Sequence, residues 1–148
     1  MRLTNFSDYA LRLLIFAANK PNETITIAEV SKVYGISKNH LMKITNRLSQ
    51  GGFIETMRGA KGGLRLAKPA TAINLAAVVH LTESDSDLVE CFNPATNTCV
   101  IDGACGLKHV LHAALEAFYQ SLAQVTLADL VANPRRLNVI FDRQAKKR

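Results

Sequence analysis

The chain has 148 residues, of which 48% are hydrophobic and 20% charged, the balance of one globular domain with an extension; this excludes a disordered polymer. Three cysteines cannot all pair, which excludes a fully bridged secreted framework, and apolar runs such as Leu13 to Ala18 fall far short of a membrane span. The net charge of +6 is unevenly spread: residues 1–68 carry +7, residues 69–133 carry −6 and residues 134–148 carry +5. A basic N-terminal half predicts a polyanion partner, nucleic acid first. Asp8 and Arg12 interrupt any leader-like apolar region near the start, so the expected location is cytoplasmic.

In chain order, Ser7 to Asn19 predicts a first helix, with Tyr9, Leu13, Phe16 and Ala17 at helical spacing. Thr26-Ile27-Ala28-Glu29 fits a capping box opening a second helix to about Tyr34, with Ile27, Val30 and Val33 inward. Gly35 ends it, and Ser37 caps a third helix that runs to Gly51-Gly52. Two extended pieces follow, Phe53–Met57 and Leu64–Ala67, around the Gly-rich tip Arg58-Gly59-Ala60-Lys61-Gly62-Gly63. Asn74 caps a short helix to about Leu81. Thr82 to Cys105 is a polar, acidic stretch with no periodicity, long enough to imply a function or a ligand. A long helix is expected over Gly106–Ala123. One apolar seam runs along it through Leu107, Leu111, Ala114, Phe118 and Leu122, and Val110, Ala113 and Ala117 form a second face beside it. Thr126 caps a last short helix, Leu127–Ala132. The basic end, with Arg143, Lys146, Lys147 and Arg148, is expected to be a solvated, frayed tail.

Helix, turn, helix, then hairpin is the order of a winged helix-turn-helix. The third helix would offer its polar N-terminal half, Ser37, Lys38, Asn39 and His40, to the major groove, with Lys43 and Arg47 one and two turns on. Arg58 and Lys61 at the hairpin tip would lie against backbone or minor groove. Each feature alone is an ordinary solvated face; their conjunction within about 60 residues points to DNA.

Cys91, Cys99 and Cys105 are spaced C-x7-C-x5-C between acidic and glycine residues. Three chemistries stay open. Zinc would need a fourth ligand such as His80, His109 or His112, and the tight paired-cysteine knuckles usual in structural zinc sites are absent. Free or redox-paired cysteines are the second. The third is an iron–sulfur cluster, which tolerates wide loop spacing and takes thiolates as its usual ligands. There is no C-x-x-C, nucleophile elbow or phosphate loop, so the chain does not read as an enzyme.

Together these segments resemble the Rrf2 family of bacterial transcription regulators. The likeness is carried by Met1-Arg2-Leu3-Thr4, Asp8-Tyr9-Ala10-Leu11-Arg12, Ser37 to Ile44, the wing Arg58 to Leu66, the three cysteines and the long helix after them. The resemblance implies a mostly α fold in three parts. Residues 1–70 would be the winged helix-turn-helix, residues 71–140 the cluster loop and dimerisation helices, and residues 141–148 the basic tail. It implies a homodimer on double-stranded operator DNA. It also implies an iron–sulfur cluster on Cys91, Cys99 and Cys105, [4Fe–4S] or alternatively [2Fe–2S]. Within the family, the cluster-assembly branch has a His where this chain has Lys108, and the iron-responsive branch shares the wide cysteine spacing. The nitric-oxide-sensing branch opens like Phe6-Ser7-Asp8-Tyr9 and ends like Thr126 to Val131. That likeness implies a repressor released by nitric oxide, with Asp8 of the other subunit as fourth ligand.

Overall fold

The computed structural model describes residues 2–147, apart from positions 22, 58, 60, 61 and 84–86. Helix α1 (Asn5–Ala18) starts two residues before the expected Ser7, because the Thr4 hydroxyl accepts the Ser7 N–H at 3.2 Å and caps the turn. Its inner face, Ala10, Leu13, Leu14 and Ala17, is the spine of the core. Helix α2 (Ile27–Tyr34) opens with the expected capping box: Glu29 Oε2 accepts the Thr26 N–H at 2.7 Å while Thr26 Oγ1 accepts the Glu29 N–H at 3.2 Å. Gly35, at φ 69°, ends it in the left-handed region, where a side chain would be strained. Ile36 is buried beneath that turn, and Ser37 caps helix α3 (Lys38–Gln50) by accepting the His40 N–H. Leu41, Ile44 and Leu48 of α3 are fully buried against α1; each full burial is worth roughly 1.5–3 kcal/mol.

Strands β1 (Ile54–Met57) and β2 (Gly63–Leu66) pair antiparallel, Ile54 opposite Leu66 and Met57 opposite Gly63. The pattern of extended runs did not anticipate a third partner. Ile25, just before α2, exchanges both backbone hydrogen bonds with Leu64, at 2.9 and 2.8 Å. A Cβ at Gly63 would lie 2.5 Å from the Ile25 carbonyl oxygen, so glycine is what lets the wing close on that segment.

Asn74 caps α4 (Leu75–Thr82) and also donates to the Ala123 carbonyl, and Leu75 N–H donates to Val125. These bonds pin the far end of α5 (Gly106–Ala123) to the start of α4. Helix α6 (Leu127–Leu130) puts Leu127 into the core beside α1. The last element corrects the sequence reading. Residues expected to fray form helix α7 (Pro134–Lys147), whose Phe141 is buried in edge and tilted contact with Phe16 (5.0 Å) and Tyr34 (5.8 Å). The supposed tail after residue 140 is therefore the second half of a docked helix. No helix among the described residues is long and apolar enough to cross a membrane.

Candidate nucleic-acid interface and cysteine loop

The capped start of α3 leaves Ser37, Lys38, Asn39 and His40 exposed, with Lys43 and Asn46 exposed on the following turns. Cα–Cβ bonds tilt toward a helix N-terminus, so these side chains lean toward the end that would enter a groove. His40 is steadied from behind by Tyr9 of α1, ring centroids 6.4 Å apart. Tyr9 also lies 5.8 Å below the Arg12 guanidinium, which stands 6.0 Å over Tyr34 as well. Burial pushes the Tyr34 phenol up to about 12, with Arg12 pulling the other way, so Tyr34 is a neutral packing element at physiological pH. Arg47, two turns along α3, also has a partner within the chain. It is half-buried, and its Nε donates to the Leu81 carbonyl at 3.1 Å, tying α3 to the end of α4.

The wing strands are held by Arg65, which donates to Glu55 Oε2 across the pair at 3.0 Å. Arg58 and Lys61, assigned to the hairpin tip, lie outside the described residues. A cleft of about 400 Å³ separates the start of α2 from the wing and is lined by Thr26, Ala28, Thr45, Thr56 and Gly62.

The three cysteines are half-buried and free of disulfides. Cys91 lies in a 3-10 turn (Glu90–Phe92); Cys99 precedes a second (Asp102–Ala104), its carbonyl accepting the Asp102 N–H; Cys105 stands at the N-cap of α5. Lys108 gathers this loop. Its ammonium donates to Asp102 at 2.6 Å, and that bond holds its pKa above the usual lysine value. Burial opposes the shift, and the charges of Asp102, Cys91 and Cys105 add to it. Among the described residues, no three His, Cys, Asp or Glu side chains are gathered closely enough to hold a metal ion. The donor chemistry nonetheless suits a thiolate-bound iron–sulfur group: three free thiols lie on one loop, and one of them, Cys105, stands at the N-cap of an 18-residue helix without a side-chain cap, where an anionic group is favoured.

Asp8 is paired on its own helix, accepting from Arg12 at 2.7 and 3.0 Å. The histidines considered for zinc do not gather with the thiols into a group of three among the described residues. His80 stacks on Tyr119 at 3.7 Å, His112 meets Phe92 edge-on at 5.8 Å, and His109 is exposed.

Helix α5 has no buried residue. The seam expected along it splits. Leu111, Phe118 and Leu122 are half-covered within the chain, whereas Leu107, Val110, Ala114 and Ala117 face outward, Leu107 and Val110 being 63% and 65% exposed. Those outward positions are spaced three or four apart, a continuous apolar stripe left exposed among the described residues.

A helix-turn-helix with a two-stranded wing, followed by a cysteine-bearing loop, defines a regulator of transcription, and comparison with known proteins agrees. The Rrf2 family profile, described as "Iron-dependent Transcriptional regulator", matches residues 3–133. The chain belongs to the Rrf2 family. It is 52% identical over 134 residues to the HTH-type transcriptional regulator NsrR of Bacillus subtilis (strain 168), covering 90% of this chain and 92% of that protein. To NsrR of Bacillus licheniformis it is 49% identical over 134 residues, covering 90% and 94%. The fold matches the oxidised form of Staphylococcus aureus CymR with a TM-score of 0.69 at 27% identity, over 88% of this chain and 95% of that one. It also matches T. potens IscR with a TM-score of 0.70 at 18% identity, over 90% and 88%. The chain is thus an NsrR-type transcriptional regulator that binds DNA, and not an enzyme.

Proposed function

We propose that this protein is a cytoplasmic, homodimeric repressor whose hold on operator DNA depends on an iron–sulfur cluster and is released by nitric oxide. The observation that carries the reading is the set of three free thiols, Cys91, Cys99 and Cys105, on one loop of a chain half identical to NsrR. These residues would hold the cluster, [4Fe–4S] rather than [2Fe–2S], with Asp8 of the second subunit as the fourth ligand. When bound, the cluster supplies an iron with a labile carboxylate ligand, open to nitric oxide.

The chain's own residues supply the rest. The loop must close to bring its thiols together, and Lys108 offsets the negative charge so gathered. The outward stripe of α5 from Leu107 to Ala117 gives a second copy an apolar surface to bury. Asp8 lies one turn before Arg12, Arg12 packs on Tyr9 and Tyr34, and Tyr9 packs on His40. A carboxylate drawn away from Arg12 therefore disturbs the contact that steadies the groove-facing end of α3. Ser37, Lys38, Asn39 and His40 would read base edges, while Lys43, Arg58 and Lys61 would take phosphates.

An anaerobic DNA-binding titration tests this, with nitric oxide in one arm and an iron chelator in the other. Release by nitric oxide at a concentration that leaves a chelator-resistant complex supports the reading. Release by chelation alone makes the protein an iron-responsive regulator, the reading favoured by the family's iron dependence. A colourless protein carrying stoichiometric zinc makes the loop structural. Replacing Cys91, Cys99 or Cys105 with Ala should abolish the visible absorbance. Asp8→Ala should keep it with an altered spectrum and altered sensitivity to nitric oxide.

A further inference from the structure

The matched family segment ends at residue 133, and helix α7 begins at Pro134. The helix is strongly two-sided. Leu137, Phe141 and Ala145 face the protein. At about 100° per residue, Arg135, Arg136, Arg143, Lys146 and Lys147 all fall within about 60° of the point opposite Phe141. All five are exposed, and among the described residues no salt bridge engages any of them. Asp142 is the single acid of the helix. From Arg135 to Lys147 the stripe runs about 18 Å, the axial length of about five base pairs.

A basic helix that served only solubility would need no fixed seat, yet this one is fixed at two points. Asn19, the C-cap of α1, donates to the Asn138 side chain at 2.6 Å, and Phe141 completes the aromatic group with Phe16 and Tyr34. Tyr34 is the last residue of α2, four positions before Lys38 opens α3. The basic stripe is thus carried on the first helix of the helix-turn-helix, the helix that crosses the DNA backbone in this motif. It adds to the part of the chain that already carries +7.

We propose that the outward face of α7 is a second DNA-contacting surface, which takes backbone phosphates flanking the operator. The occupant is duplex DNA. An acidic protein surface would match the charge too, but among the described residues α7 is docked on α1 and α2, through Asn19, Phe16 and Tyr34, and no ion pair joins it to the chain's acidic segment. The proposal rests on α3 lying in the major groove, and it assigns α7 no role in reading sequence, because arginine and lysine on phosphates position a protein without specifying bases.

The test uses full-length protein purified anaerobically. The probe is the palindrome that the wild type enriches from a random duplex pool, either trimmed to its ends or extended on each side by about one helical turn. The variant R135Q/R136Q/R143Q/K146Q/K147Q keeps good helix formers throughout. Its companion R135K/R136K/R143K keeps the charge. Wild type and companion should bind the extended duplex more tightly than the trimmed one, with a salt slope steeper by about 2–4. The glutamine variant should lose that gain, about tenfold or more in affinity near physiological salt, while matching wild type on the trimmed duplex. Equal slopes for wild type and glutamine variant on the extended duplex overturn the proposal. So does an equal loss on both duplexes, which would make the effect one of overall charge. Failure of the wild type to enrich or bind any duplex instead overturns the placement of α3 in DNA, a separate result.

Discussion

The two halves of this chain are built on opposite principles. From Thr4 to Val79 the four α-helices are capped by side chains, Gly35 takes the positive φ that ends α2, and each of the four carries fully buried aliphatic residues. From His80 to Thr126 no described residue is fully buried and the two 3-10 turns lack side-chain caps, while α5 is tied at its C-terminal end by the Asn74 side chain and the Leu75 N–H and rests on α4 through the His80–Tyr119 stack. The first half has finished folding within one chain. The second leaves apolar side chains exposed and three free thiols half-buried among the described residues. A regulator needs both: a rigid reading head, and a part whose structure depends on what it binds.

The largest expected difference comes from the core. Leu41→Ala removes a fully buried side chain between α3 and α1 and should cost about 2–5 kcal/mol in chemical denaturation of the apo protein. Val110→Asp in the second half should do the reverse. The single chain tolerates it because Val110 is 65% exposed. In a dimer seamed along α5 the new charge would be buried unpaired, and sedimentation should report folded monomers. A stable dimer in that variant moves the seam off the outward face.

Smaller effects sharpen the contrast. Tyr34 is packed between α1 and α7 with its phenol raised from about 10 to about 12. A raised folded-state value means that the neutral form is preferred in the native state. Its contribution is complete below pH 10 and lost as pH rises to 12. Wild type should therefore lose about 1–2 kcal/mol across that window, after discounting for partial exposure, and Tyr34→Phe should flatten the loss. Thr26→Ala, which breaks the capping box of α2, should cost about 1 kcal/mol. At the bottom of the scale, Cys99→Ser should change apo stability by less than about 0.5 kcal/mol, because Cys99 is only half-buried. A larger loss would mean that the loop is held by its own packing.

The same division explains what was legible. The elements of the first half are announced locally: Thr26 and Glu29 are three residues apart, Ser37 stands against the N–H of His40, and Gly35 takes the positive φ that ends α2. Capping and left-handed turns involve neighbours in sequence, so residue types alone reveal them. The cysteines were equally visible as a set, because their chemistry is in their identity. Their arrangement was not, since a polar loop of this length has no periodicity from which to infer distances.

By itself, then, the amino-acid sequence determined the order of helices and strands up to Leu127, the polar face of α3 and the three-thiol loop, all properties of residue type at short range. Tertiary structure alone decided the rest. Arg47 lies on the polar side of α3 in the sequence pattern, and only the fold places the Leu81 carbonyl beside its Nε. Ile25 carries no signal of its own in the sequence, yet the wing pairs with it across the close approach that Gly63 allows. Residues 134–147 carry so many cations that they resemble a frayed tail, yet they form a helix because Phe141 meets Phe16 and Tyr34, more than a hundred residues away. Burial of one aromatic ring against two others repays the ordering of a short helix only when the chain has already brought its partners together.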